Sequence, residues 1–354
     1  GAVFGNGDYN SKCEKITIKN CNITDANFNS KKDVAGIVGF VESKNIEVDS
    51  CNVINTEIVN ESDSGNTASY NASGIVAYVS GASEKTSVKN CKVESSNITS
   101  AKDPSAILGC KSAYSSGANV NDGIIEIMNC TAINTNILNK DDTTGTYSSA
   151  GGIVGNVYQG SSIIIEDCSL KNGSVKSNPK SYGTRDCNVG GIIAIVNYFD
   201  DVIINNCSVD NVGIDNTANM DSCANVGGIL AAVYGVGDLS ITNCDVNKLN
   251  AHTLSGDIGG LCNLGYIGNS ENINIENCNV SNSEIYSDAT YAAMSVCSNT
   301  AGLIVNAYGS GTLNVKNCDL NNTNVTGIGA NVGGILGWIY GFNENYIENC
   351  NVID

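Results

Sequence analysis

Apolar and polar residues alternate in short runs along the chain, and one run recurs ten times as apolar-x-apolar-x-x-Cys-x-apolar. It reads ITIKNCNI ending at Ile23, IEVDSCNV at Val53, TSVKNCKV at Val93, IEIMNCTA at Ala132 and IIIEDCSL at Leu170. It continues as VIINNCSV, LSITNCDV, INIENCNV and LNVKNCDL, and in weakened form as NYIENCNV. Period two gives each strand one inward face, and the two-residue step before Cys breaks that period, so a corner must fall there. The corner residue is Asn20, Asn90, Asn129, Asn206, Asn243, Asn277, Asn317 or Asn349, with Ser50 and Asp167 as exceptions. Asn takes the left-handed conformation at modest cost, and its amide can bond the same group one coil above and below. Four residues after Cys a second polar column follows, with Asn55, Asn134, Asn172, Asn211, Asn282 and Asn322. Three residues further on comes an apolar residue such as Phe28, Ile58, Ile98, Ile137, Val175, Ile214, Ile285 or Val325, which predicts a second bend and another inward anchor.

A glycine motif interleaves with the first: AGIVG at Gly36, SGIVA at Gly74, SAILG at Ala106, GGIVG at Gly152, GGIIA at Gly191 and GGILA at Gly228. GGLCN at Gly260, AGLIV at Gly302, GGILG at Gly334 and the opening GAVFG complete it. The strand it leads is apolar on both faces, as in Ile153 with Val154, Ile229 with Leu230 and Ile335 with Leu336, so something must cover its outer side. Either the long connectors 59–73, 138–150 and 286–301 fold over it, or another chain does. No helix period appears. These spacings predict an all-β fold, a parallel β-helix (β-solenoid) of about ten coils with three strands per coil, an Asn corner ladder and an inward Cys ladder. At about 4.8 Å per coil the stack is roughly 48 Å long. Residues 1–354 read as a single solenoid domain. Neither end carries an atypical copy, although solenoids normally need caps, so the expectation is a fragment of a longer repeat protein or a unit that assembles end to end.

Of 16 Cys, ten fall once per repeat at an inward position: Cys21, Cys51, Cys91, Cys130, Cys168, Cys207, Cys244, Cys278, Cys318 and Cys350. Stacked Cβ atoms about 4.8 Å apart lie outside disulfide range, so these read as a column of buried thiols that pack as small hydrophobes. The six others are Cys13, Cys110, Cys187, Cys223, Cys262 and Cys297, none in a zinc-ligand spacing. Cys187 and Cys223 stand just before consecutive glycine motifs, where a disulfide between connectors is expected.

The formal charge of −18 over 354 residues, with few and scattered basic residues including a single arginine, Arg185, excludes nucleic acid as a partner. No apolar run approaches a membrane span of about 18 residues. His252, the one histidine, sits in NAHTL with no motif that would make it catalytic. Carboxylates occur as Asp141 with Asp142, Asp200 with Asp201, and Glu61 near Asp63, where a glycosidase pair or a Ca²⁺ site would draw on them, but all lie on connectors where acidic residues serve solubility. No cofactor and no metal is expected. Six residues after the motif glycine stands Tyr158, Tyr234, Tyr266, Tyr308 or Tyr340, an expected aromatic column that would bind a sugar ring or a partner's side chain, or stabilise the sheet.

The Gly-Gly-Ile-Val-Gly segment followed by an Asn-Cys-x-Val strand resembles the GLUG-type repeat of large bacterial surface proteins, including adhesins and the non-catalytic repeat regions of some IgA-cleaving metalloproteases. The strands and Asn corner are also similar to right-handed parallel β-helices of the pectate-lyase kind. The resemblance implies a secreted or cell-surface location and a non-enzymatic stalk or adhesive region, with host or surface glycans or proteins, or further copies of itself, as partners. A carbohydrate-active β-helix enzyme and a self-assembling extracellular filament subunit are the alternatives.

Overall fold

The computed structural model describes residues 13–62, 70–80, 83–112, 123–140, 148–178, 187–217, 224–265, 270–288, 299–328 and 331–354. Every strand in them pairs in parallel with its equivalent one repeat away, and none of them is helical. The strands that follow each Cys form a column ten levels deep. It runs from Ile23 through Val53, Val93, Ala132, Leu170, Val209, Val246, Val280 and Leu320 to Val352. The period-two reading holds in the core: Ile46 and Val48, Ile125 and Ile127, Ile163 and Ile165, and Ile273 and Ile275 all point inward and are buried. Their in-register stacking is the expected parallel β-solenoid, its strands arranged in three sheets.

The corners form where the broken alternation places them. All ten residues before Cys have positive φ, from 50° at Asn206 to 56° at Asn20 and Ser50. The second column does the same at Asp25, Asn55, Ser95, Asn134, Asn172, Asn211, Lys248, Asn282 and Asn322. Side-chain amides tie the corners together: Asn129 Nδ2 donates to Asn90 Oδ1 at 2.8 Å, Asn317 Nδ2 to Asn277 Oδ1 at 3.2 Å, and Asn349 Nδ2 to Asn317 Oδ1 at 3.3 Å. Behind the corner each ladder thiol donates to the carbonyl two residues before it and, from Cys51 on, to one a coil below, as Cys168 Sγ does to Glu166 O (3.2 Å) and Ile127 O (3.5 Å). The ten ladder cysteines are all free thiols. Thiol-to-thiol hydrogen bonding and burial push Cys91 and Cys278 up to about 12, and burial pushes Cys110 and Cys262 well above the ordinary range.

The third sheet consists of short strands just before the glycine motif, from Val34–Ala35 to Val332–Gly333. Three residues ahead of each motif position it carries a polar column that the strand pattern does not announce: Asp33, Asn71, Asp103, Ser149, Asn188, Asn225, Asp257, Asn299 and Asn331. Asn71 donates through both its nitrogens to Asp33 Oδ1, Asn225 Nδ2 to Asn188 Oδ1, and Asn331 Nδ2 to Asn299 Oδ1. Burial raises the Asp33 carboxyl to about 6, against the opposing effect of the Asn71 donors. This segment covers part of the outer side of the Gly-led strand, while the long connectors 59–73, 138–150 and 286–301 lie in part outside the described residues. The Asp103 carbonyl lies against Gly109 and Gly155, and Asn299 bonds Asn306, so the short segment just before the motif packs over that strand. At the motif glycine the coils touch backbone to backbone: a Cβ on Gly191 would fall 2.0 Å from Gly228 O.

Candidate functional site

In the fifth and sixth coils the Gly-led strand and the I-x-I strand fuse into single strands, Val154–Glu166 and Ile193–Asn205. Each turns the corner on a left-handed residue, Gln159 (φ 62°) and Tyr198 (φ 57°), and the seventh coil uses Gly235 (φ 59°) at that point. A bulky residue rarely holds this conformation. Here glycines above and below make room for it: the Tyr198 ring lies over Gly235, where a Cβ would come within 2.7 Å of Cδ1, and Phe199 turns inward over Gly160, where a Cβ would come within 2.5 Å of Cε1. Tyr198 is 53% exposed while Phe199 is buried. The Tyr158 ring meets Tyr198 edge-on, with centroids 5.2 Å apart. The corner opens into a groove of about 440 Å³ lined by Gln159, Tyr198, Asp200, Gly235, Gly237 and Glu271. A second groove of about 420 Å³ lies beside it, lined among others by Asp201, Ile203, Asp238, Ser240 and Asn272.

The two grooves lie between stretches of the I-x-I sheet on which lysines pair with carboxylates, since beyond them Lys316 pairs with Glu348 at 3.3 Å. In the first four coils the I-x-I sheet carries lysines paired with carboxylates, such as Lys85 and Lys89 with Glu126 at 2.6 and 2.9 Å and Lys19 with Glu47 at 2.6 Å. Among the described residues no lysine pairs with Asp200, Asp201, Asp238 or Glu271. One cation lies behind the floor. Lys111 takes an inward position where the neighbouring coils have Val79 and Val157, is 1% exposed, and donates to Gln159 O at 2.8 Å with its ammonium 5.9 Å from the centre of the Phe199 ring. Burial lowers its amine to about 8.

The structure divides the expected aromatic column. Tyr158 and Tyr234 are in register but separated by Asn197, while Tyr308 and Tyr340 are direct neighbours with centroids 5.7 Å apart. Tyr266 lies outside the described residues, as do Arg185, Asp63, Asp141, Asp142, Cys223 and Cys297. Cys187 is buried against Ala224, and its expected disulfide to Cys223 falls on a residue outside that set. Tyr198 went unread because its corner is occupied by a polar residue or glycine in the adjoining coils. The pair Tyr198-Phe199, aromatic where the fifth coil has Gln159-Gly160, was the available signal.

His252 does have a carboxylate. Its Nδ1 lies 3.0 Å from Asp215 Oδ1, and its ring stacks on Tyr286 with centroids 5.5 Å apart. These three side chains form an outward row on neighbouring coils. No group of three or more His, Cys, Asp or Glu that could hold a metal ion occurs among the described residues, and no helix there is long and apolar enough to cross a membrane.

No family model matches the sequence, and no curated protein matches it. A solved structure from Bacteroides ovatus, described as a candidate immunoglobulin A1 protease, is similar over 79% of this chain and 78% of its own, with a TM-score of 0.42 and 17% identity. At that score and identity the likeness carries no conclusion about activity. The chain is a β-helix repeat protein by its own winding.

Proposed function

We propose that this chain is a non-enzymatic, extracellular repeat scaffold of a microbial surface protein, of the GLUG-repeat kind, acting as a rigid stalk that offers one lateral face for adhesion. The observation that supports this reading most is the unbroken register of the column from Ile23 to Val352, which makes each coil the template for the next and keeps the interior uniform. Apart from the buried Lys111, the departures named here fall on the connectors and on the corner that carries Tyr198, Asp200 and Glu271. Solution scattering and a polysaccharide-turnover assay on the purified chain test it. A monodisperse rod without release of reducing or unsaturated ends is the expected result, and turnover that disappears in Asp200→Asn or Glu271→Gln overturns it.

One observation favours a second reading, a carbohydrate-active enzyme: Asp200 from the sixth coil and Glu271 from the eighth converge on a single groove. Two carboxylates facing one site are what glycoside hydrolysis requires. The same turnover assay separates the two readings.

A further inference from the structure

The groove at the Tyr198 corner combines features that a plain structural corner does not need. An exposed aromatic ring is held in a left-handed backbone conformation, and the one position that would collide with it, Gly235, has no side chain. The inward Phe199 and the neighbouring Gly160 repeat that fit on the core side, so the aromatic pair is built into the stack. Asp200 and Glu271 line the same groove, and Asp201 and Asp238 continue the row of carboxylates into the adjoining one. Elsewhere on this sheet face, in the first four coils and again at Lys316 with Glu348, carboxylates have lysine partners, whereas among the described residues no lysine pairs with this row. The buried Lys111 lies behind Gln159, its ammonium turned to that residue's carbonyl, and four carboxylates outnumber it.

We propose that this groove binds an organic cation, an alkylammonium or guanidinium group, with Tyr198 supplying the ring face and Asp200 and Glu271 the counter-charges. The attraction of a cation to an aromatic face and to carboxylates acts at the same contact and adds up there. A low-dielectric wall on one side and a net negative chain around it concentrate such ligands at the groove. The proposal rests on the reading of this face as a binding surface rather than a reaction centre. Lysine or arginine side chains of an extended partner chain and free polyamines share this chemistry.

Isothermal titration of the whole chain at low ionic strength with tetra-arginine, tetralysine, spermidine and a neutral chito-oligosaccharide tests it. Binding of the cations, weakened at least tenfold by 0.5 M NaCl and by Glu271→Gln with Asp200→Asn, is the expected result. Tyr198→Gly removes the ring while easing the left-handed backbone, so it folds; it too should lose about tenfold, with an unchanged circular dichroism spectrum. A peptide bound more tightly than spermidine at equal charge assigns the source to a partner chain, and the reverse order assigns it to polyamines. No cation binding at millimolar concentration, binding unaffected by Tyr198→Gly, or tighter binding of the neutral sugar overturns the proposal while leaving the stalk reading intact. Cleavage of any of these probes would overturn the stalk reading instead.

Discussion

Lys111 shows how a single residue can depart from the repeat without breaking it. Its stem fills the volume given to valine in the coils on either side, and its ammonium finds one carbonyl and one aromatic ring. Burial disfavours the charged form, which is why its amine drops to about 8 from an ordinary 10.5. A lysine with a lowered folded pKa destabilises the native state wherever both states are protonated, and this cost is relieved as pH rises from about 8 toward 10.5, where only the folded state has lost its proton. The shift corresponds to about 3 kcal/mol at most. Lys111→Met should therefore raise stability by about 1–3 kcal/mol at pH 7 in denaturant titrations, and its advantage over the native chain should shrink by pH 10.5. An advantage that stays constant with pH would mean that burial does not lower this lysine's pKa in the folded state. The position was invisible in the sequence because KSAYSSG reads as a polar connector, and only the register Val79–Lys111–Val157 places it inward.

At the scale of the strand and its corner, the sequence was informative where backbone geometry dictates residue type. Asn277 holds φ at 54°, donates to Asn243 and accepts from Asn317. Asn277→Ala removes both links and retains the left-handed strain, and should cost about 1–3 kcal/mol, whereas Asn277→Gly keeps the backbone at ease and should cost about half as much. Equal losses would show that the amide links, rather than the conformation, select Asn. Two glycines make a similar contrast. A Cβ at Gly191 would strike Gly228 O at 2.0 Å, while at Gly213 it meets nothing within 4 Å. Gly191→Ala should prevent or severely weaken folding, and Gly213→Ala should be neutral or stabilise by about 0.5–1 kcal/mol, both read from thermal melts. The polar column ahead of the glycine motif, buried from Asn71 to Asn299, was equally regular in the sequence, at three residues before each motif position. It went unread because alternation marks a polar residue as outward, and nothing in spacing tells an outward residue under a connector from one in water.

At the scale of the molecule, ten repeats at nearly even spacing left one architecture, because strands too short to bury a face alone must stack on their neighbours. The exterior followed less directly. Carboxylates from separate coils meet only after winding, so the convergence of Asp200, Asp238 and Glu271 on one side has no local motif, and the Tyr158 to Tyr340 series is divided by Asn197 although each tyrosine sits at the expected offset. Burial of the thiol column from Cys51 to Cys318 predicts that these ladder cysteines stay unreactive toward a water-soluble thiol reagent in the native state and react on unfolding in guanidinium. Early reaction at Cys168 or Cys207, read by mass spectrometry, would place that column at the surface. The winding itself is tested most directly by a distance between two points on one outward column. Lys176 and Thr326 stand four levels apart through Asp215, His252 and Tyr286. Spin labels placed on unnatural side chains at these two positions should lie about 19 Å apart along the stack by pulsed electron resonance, with a single narrow distribution. A mean separation beyond about 35 Å, or two populations, would contradict coils stacked in one direction and in register.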